Sequence, residues 1–295
     1  MNHSKIARLA TPVSIFAISW ITSSLSLSYP LLAQTSEDSI FNPYVARLTT
    51  REENVLGRSD SSSEDFQIFS GVLFKSASDN KLCILTAYHG VKDDALVSIY
   101  PSGNTIKPNG LQQIRLLASD PSIDLALLEF TPRTSFAEEP DNYKPIGTIF
   151  GSVPATGGFT LTGYAQNPTV QNLRGQTQER QLNIPIRVMD DKVQYTIDGS
   201  VQRMIKYVCN GSSDQCVVDR KDPDTKDGYA GASGGGVFGL DTKNNAVLLA
   251  THLGFFEPPT KPIALRGVAA TRALESAKLN FSQYCRVDVT VPGRW

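Results

Sequence analysis

The sequence has few side chains that could carry out acid–base or metal chemistry. Only three of its 295 residues are histidine (His3, His89 and His252) and only four are cysteine. It has no CxxC pair and no cluster of cysteine with histidine, the usual pattern of a structural zinc site. Any imidazole chemistry must therefore use one of three residues.

The chain also lacks an excess of either charge. It has 28 Lys and Arg against 29 Asp and Glu, a formal net charge of -1. Such a balance gives no broad electrostatic reason to bind nucleic acid or an anionic membrane. Hydrophobic residues make up 40% of the chain, which is enough to build a folded core. We expect a globular protein with no nucleic-acid partner.

The N-terminal segment 1–33 has the pattern of a secretory signal peptide. Lys5 and Arg8 precede an uncharged apolar stretch from about Pro12 to Leu27, and small residues lead to Ala33. The stretch is interrupted by Ser and Thr and is marginal for the ~20 residues of a spanning helix, the alternative being an uncleaved anchor. We predict cleavage after Ala33, no stable membrane insertion afterwards, and a secreted or periplasmic monomer.

All four cysteines lie beyond this segment, and an even number in an exported chain predicts two disulfides. Cys209 and Cys216 enclose the short polar loop NGSSDQ and are expected to bridge a hairpin end. Cys83 and Cys285 then pair by elimination.

The rest of the chain reads as β-structure. Short runs rich in Val, Ile, Leu, Phe and Thr alternate with Gly, Pro, Asn and Asp, a pattern typical of barrels or sandwiches. Segment 34–65 is either a pro-segment or a first strand and loop. A boundary near 140–146 separates two predicted β-domains, 66–145 and 146–295, and one helix is predicted at Thr271–Leu279.

Three short segments hold residues suited to nucleophilic catalysis. They are Leu85–Val91 (LTAYHGV), Ser122–Leu128 (SIDLALL) and Gly231–Gly236 (GASGGG). Taken singly, each has an ordinary structural interpretation: a loop histidine, a turn aspartate and a flexible glycine loop. Together they supply a base, a carboxylate and a hydroxyl.

The chemistry explains why these residue types belong together. A serine hydroxyl is a weak nucleophile until a base such as a neutral imidazole takes its proton. A shielded carboxylate holds the imidazole in the correct tautomer. We therefore predict Ser233 as nucleophile, His89 as base and Asp124 as the orienting group, with the N–H groups of Gly231 and Ser233 as an oxyanion hole. This chemistry needs no cofactor and no metal.

These segments resemble the chymotrypsin/trypsin-like serine protease family. TAYHG is similar to its TA-A-H segment, DLALL to its D-[IL]-A-L-L segment and GASGG to its G-D-S-G-G segment, in the same chain order. The resemblance implies an all-β fold of two six-stranded antiparallel β-barrels with a C-terminal helix. His89 and Asp124 would come from the first barrel and Ser233 from the second, and the substrate would be a protein or peptide.

Three residues depart from the family pattern. Ala232 stands where trypsin-type zymogens have an aspartate, so we predict that activation does not use an N-terminal amine against that residue. Tyr88 is bulky where small residues are usual, and Gly236 replaces a frequent proline.

Two residues compete as determinants of specificity for P1, the substrate residue whose carbonyl is attacked. Asp227 lies six positions before Ser233, the offset at which trypsin-like members hold a substrate Lys or Arg. His252 resembles the histidine with which glutamate-specific relatives bind a substrate carboxylate. We favour a basic P1 because of the offset, with a glutamate-specific enzyme as the alternative.

Two other interpretations of the whole protein remain. GASGG also matches the GxSxG elbow of α/β-hydrolases, which requires a helix directly after the serine. A protease-like binding protein without catalysis is the second alternative.

Overall fold

The computed structural model describes residues 40–51, 66–78, 80–91, 96–100, 112–131, 144–154, 157–171, 177–197, 199–210, 231–256 and 264–290. Within these ranges the protein consists almost entirely of β-strands, arranged in two sheets. No helix of the described residues is long and apolar enough to cross a membrane.

The first sheet is built from the N-terminal strands. These are β1 (Val45–Arg51), β2 (Phe66–Ser76), β3 (Leu82–Ala87), β4 (Leu96–Tyr100), β5 (Gln112–Gln113), β6 (Arg115–Asp120) and β7 (Leu125–Phe130). Their order is β5-β4-β1-β2-β3-β7-β6. Strand β5 pairs with β4 at one end of this order, and β6 pairs with β7 at the other end. Only Ile114 separates β5 from β6, so the two are parts of one interrupted strand. The sheet therefore closes on itself as a six-stranded barrel.

The second sheet follows in the chain. It comprises β8 (Thr148–Phe150), β9 (Phe159–Gln171), β10 (Thr177–Ile197), β11 (Ser200–Cys209), β12 (Gly236–Leu240), β13 (Ala246–Phe255), β14 (Leu265–Ala269) and, after β15 (Cys285–Arg286), β16 (Asp288–Thr290). Six of them, β12-β9-β10-β11-β14-β13, form a closed circuit because β12 also pairs with β13. All pairings in this circuit are antiparallel.

The two barrels share a hydrophobic core. One buried cluster includes Leu85 and Leu127 of the first barrel together with Phe238, Leu253 and Val268 of the second. Strands β3 and β7 are buried along nearly their whole length. Such continuous apolar burial fixes the ends of these strands, which matters because the predicted site lies there.

The C-terminal segment differs from the predicted helix. A helix spans Ala270–Glu275 and a second, single turn spans Phe281–Tyr284. The first ends early because Ser276 is extended (φ -72°, ψ 113°) and its hydroxyl donates to Asp120 Oδ2 at 2.6 Å. This polar contact ties the end of the helix to the end of β6.

A disulfide joins the chain terminus to the first barrel. Cys83 on β3 bonds to Cys285 on β15, 202 positions later, and β15 pairs with β2. This is the predicted pairing. Cys209 is also disulfide-bonded, whereas Cys216 lies outside the described residues, so the second predicted bridge stays a prediction.

The double-barrel fold class predicted from the sequence is confirmed. The α/β-hydrolase alternative is wrong, because the segment after Ser233 continues directly into strand β12 rather than into a helix. Segment 45–51 forms a strand paired with β2 and β4.

Candidate active site

His89 and Asp124 meet because their strands are neighbours. Ala87, the last residue of β3, is paired with Leu125, the first residue of β7. The residues just outside these two positions therefore lie at the same edge of the sheet. His89 Nδ1 donates to Asp124 Oδ2 at 2.7 Å, and since a carboxylate only accepts, this bond leaves Nε2 as the basic nitrogen of the neutral ring.

Two backbone hydrogen bonds fix this pair further. The amide of His89 donates to Asp124 Oδ1 at 2.9 Å, and the amide of Tyr88 donates to the Asp124 carbonyl oxygen at 3.0 Å. The Asp124 side chain is 9% exposed, whereas that of His89 is 47% exposed. The carboxylate is thus shielded and the imidazole is accessible to a substrate.

Asp124 has a left-handed backbone (φ 56°, ψ 41°) at the end of the turn Pro121–Ile123. Aspartate tolerates this region better than most residues with a Cβ. Asp120 begins the same turn and accepts from the Ser122 amide at 3.1 Å. The turn therefore rotates the Asp124 carboxylate towards the histidine.

The segment around Ser233 is held against the first barrel. The Ser70 amide on β2 donates to the Ser233 carbonyl oxygen at 2.7 Å. Gly234 has φ +84°, and a Cβ there would lie 2.0 Å from the Ser70 carbonyl oxygen and 3.0 Å from the Ala87 nitrogen. Only glycine fits so close a contact, and this contact lies two residues from His89.

The amides proposed from the sequence as an oxyanion hole have no acceptor among the described residues. Gly231 has φ 92°, and within the described part of the chain neither its N–H nor that of Ser233 donates a hydrogen bond. Two donors from one glycine-rich turn are therefore available for a developing negative charge.

Ser233 Oγ and His89 share no hydrogen bond among the described residues. The hydroxyl lies 3.5 Å from the Leu253 carbonyl oxygen. Catalytic hydrogen bonds are often long in ligand-free enzymes and shorten when substrate binds. The structure thus joins two members of the predicted triad directly and brings the segment of the third beside them.

Ser70 is a site residue that the sequence reasoning missed. Its buried hydroxyl donates to the Gly231 carbonyl oxygen at 2.9 Å and accepts from the Tyr164 amide at 2.8 Å. It therefore connects β2, β9 and the turn that carries the two amides. The only signal in the sequence was its place one residue before Gly71 in the hairpin that precedes the histidine.

His252 lies inside the second barrel. Its side chain is fully buried, and its Nδ1 is 2.5 Å from Tyr207 Oη, which donates to the Arg266 carbonyl oxygen at 3.1 Å. Burial, with added repulsion from the charges of Arg266 and His89, lowers the pKa of His252 to about 3. The ring is therefore neutral. Its predicted role in substrate binding is not tested by these contacts and stays a prediction.

The remaining predicted residue, Asp227, lies outside the described residues. The structure does explain one departure from the family pattern. A Cβ at Gly236 would lie 2.3 Å from the Phe238 ring, so a residue with a side chain there, such as the frequent proline, would require this buried ring to shift. Ala232 is fully buried.

Comparison with known proteins places the fold. No family model and no curated sequence matches the chain. The scabies mite inactivated protease paralogue S-I1 is similar in structure, with a TM-score of 0.50 at 13% identity over 82% of this chain and 96% of that one. The thermostable serine protease AL20 from an extremophilic microorganism gives 0.47 at 14% identity, covering 82% and 97%. Deg5 gives 0.44 at 14%, covering 79% and 87%.

The two closed six-stranded sheets and the similarity to the S-I1 paralogue define the class of fold: the chain has the double-barrel fold of chymotrypsin-type serine proteases. One of these structures is described as an inactivated paralogue. The fold alone therefore does not decide whether the protein is an active enzyme, and function must be argued from the site.

Proposed function

We propose that the protein is an exported serine endopeptidase that uses Ser233, His89 and Asp124. The observation that carries this proposal is the 2.7 Å hydrogen bond from His89 Nδ1 to Asp124 Oδ2. This hydrogen bond lies at the ends of β3 and β7, and the segment that carries Ser233 is held against β2 and the end of β3. This arrangement leaves His89 Nε2 as a base near a hydroxyl and two available amides.

The mechanism follows from these groups. Ser233 Oγ attacks the substrate carbonyl while His89 Nε2 takes its proton, and Asp124 stabilises the resulting imidazolium. The amides of Gly231 and Ser233 donate to the negatively charged oxygen of the intermediate. His89 then gives its proton to the leaving amine, and water hydrolyses the acyl-enzyme by the same steps in reverse.

Active-site labelling tests this proposal against the alternative of an inactive binding protein. A fluorophosphonate probe should add covalently to Ser233 of the wild-type protein, which intact-protein mass spectrometry detects. The variants Ser233→Ala and His89→Ala should not react, and both should keep the wild-type circular dichroism spectrum. A wild-type protein that is folded and remains unlabelled would favour the binding protein.

The P1 preference for Lys or Arg rests on Asp227 and the glutamate alternative rests on His252. Mass spectrometry of the cleavage sites in a peptide library distinguishes them, since one predicts Lys or Arg and the other Glu before the scissile bond.

Export, processing after Ala33 and action as a monomer belong to the same proposal. The Cys83–Cys285 disulfide supports export, because such bonds persist in oxidising compartments. N-terminal sequencing of the exported protein would test the cleavage position.

A further inference from the structure

The outer face of the second barrel carries two cations side by side. Arg266 on β14 is paired with Lys206 on β11 and, on its other side, with Gly254 on β13. Directly paired residues of antiparallel strands project from the same face of a sheet, so all three share one face. Like charges in such a pair destabilise a sheet, which calls for a compensating interaction.

The described residues supply no carboxylate for this pair. Asp190 is paired with Lys206 in register, but its Oδ1 accepts from the Lys192 amide at 2.8 Å, and no ion pair joins it to Lys206 within the described ranges. Arg266 Nε and Nη1 are buried and have no hydrogen-bond partner among the described residues. Buried charged donors without an acceptor are costly, so an anion is expected to bind there.

Two aromatic rings hold these cations in place without neutralising them. Arg266 Cζ lies 4.2 Å from the centre of the Tyr195 ring, and Lys206 Nζ lies 5.7 Å from that of Phe256. The two rings pack edge to face, 5.4 Å apart. Cation–π contacts fix the position of a head group, and its positive charge remains.

This face adjoins the nucleophile. Leu253, whose carbonyl oxygen lies 3.5 Å from Ser233 Oγ, precedes Gly254. Among the described residues, the one atom within 4 Å of a Cβ built on Gly254 is Arg266 Nε, at 4.0 Å. The guanidinium group therefore borders the position that a Cβ on Gly254 would take.

The edge of β13 next to Ser233 can accept a further strand. Strand β12 pairs with β13 only as far as Thr251, and no other described strand pairs with Leu253–Phe255 on that side. An extended peptide can add to such an edge. We take its direction as antiparallel, as in the rest of the circuit.

The register of such a peptide follows from the position of the nucleophile. We place the reactive residue P1 opposite Leu253, whose carbonyl oxygen lies 3.5 Å from Ser233 Oγ. In that register P2 and P4, the second and fourth residues before the scissile bond, would lie opposite Gly254 and Phe256. Because side chains alternate along a strand, P2 and P4 both project to the face that carries Arg266 and Lys206.

We propose that Arg266 and Lys206 form a subsite for an acidic side chain at P2 or P4 of the substrate. This inference rests on the proposed peptidase function and deepens it by naming the substrate class. The carboxylate would accept hydrogen bonds from the guanidinium and ammonium groups, interactions that a neutral amide of the same shape reproduces weakly.

Matched peptides test the subsite. Internally quenched peptides with Glu or Gln at P2, and a second pair at P4, are compared at a P1 residue that the library identifies. For wild type we expect kcat/KM to be about tenfold higher with Glu than with Gln at one of the two positions. Arg266→Gln should reduce this ratio to about two or less, and Arg266→Glu should favour Lys at that position.

A matched control shows that any loss is specific. Arg203→Gln removes an exposed cation of the same strand as Lys206, one that pairs with Asp191, and should keep the wild-type ratio.

Equal rates with Glu and Gln at both positions, or a ratio unchanged in an Arg266→Gln/Lys206→Gln variant, would overturn the subsite while leaving the peptidase proposal intact. If neither labelling nor cleavage occurs, the peptidase proposal fails. In that case the subsite is tested by binding alone. Competition with a fluorescent Glu peptide measures the affinities of the same peptides for the folded wild-type protein. Tighter binding of the Glu peptide supports the subsite, and equal affinities overturn it.

Discussion

The hydroxyl of Ser70, on the first barrel, donates a 2.9 Å hydrogen bond to the carbonyl oxygen of Gly231, in the nucleophile segment. The same hydroxyl accepts from the Tyr164 amide of the second barrel. One buried side chain thus positions the turn that carries both amides of the proposed oxyanion hole, and its hydroxyl makes no hydrogen bond to Ser233 Oγ or His89 in the described part of the chain.

Ser70→Ala should therefore lower kcat more than it changes KM. Without the hydroxyl the Gly231 turn loses its anchor, and we expect kcat to fall by about 10-fold to 100-fold, since loss of one oxyanion donor costs at least that much. Steady-state kinetics on a quenched peptide measures both constants.

The matched control is Ser76→Ala on the same strand. Its buried hydroxyl donates to the Tyr284 carbonyl oxygen at 3.3 Å, away from the site. This variant should lose stability with little change in kcat. A Ser70→Ala enzyme with wild-type kcat would show that Ser70 has only a structural role.

Asp124→Asn should lower kcat/KM by about 10⁴, as in the serine protease triad in general. The amide cannot stabilise the imidazolium, and it favours the wrong tautomer of His89. The control is Asp120→Asn, which removes a buried carboxylate that accepts from Ser122 and Ser276 but leaves Asp124 in place. That variant should be less stable and far more active than Asp124→Asn, whereas less than tenfold loss in Asp124→Asn would argue against the triad.

Gly234→Ala should fold poorly or not at all. A methyl group there would lie 2.0 Å from the Ser70 carbonyl oxygen and would force φ +84° on a residue with a side chain. Gly199→Ala is the matched control, since Gly199 also has positive φ (+78°) but no atom of the described residues within 4 Å of the position that a methyl group would take. It should lose only about 1 kcal/mol of stability. Thermal denaturation compares the two, and equal melting temperatures would contradict the close contact at Gly234.

Buried His252 should make the protein lose stability in mild acid. Its pKa is lowered from 6.5 to about 3 in the folded state, so below pH 6.5 the unfolded chain binds a proton that the folded chain does not. The contribution of this group to the free energy of unfolding is fully present above pH 6.5. It falls as the pH drops towards 3, by up to about 1.4 kcal/mol per pH unit. Urea denaturation from pH 7 to pH 4 measures the slope.

His252→Gln should flatten that slope, because glutamine does not titrate. Its stability at pH 7 is expected to be lower, since the contact with Tyr207 is altered. An identical pH dependence in wild type and variant would mean that other groups control acid sensitivity.

Much of the fold and of the proposed triad could be predicted from the sequence because the information is local. Strand β3 and the start of β7 are continuous apolar runs, and their ends carry His89 and Asp124. The glycines around Ser233 signal a backbone that side chains would block, as Gly234 demonstrates. Local apolar patterning and glycine content are visible without knowing which strands pair.

Only the tertiary structure shows the contacts that depend on pairing between strands far apart in the sequence. No pattern in the sequence links Ser70 to Gly231, 161 positions apart, or sets Lys206 beside Arg266. The burial of His252 against Tyr207 likewise follows from the closure of the second barrel. Strand register determines which side chains share a face, and register is fixed by the packing of the whole sheet rather than by any single segment.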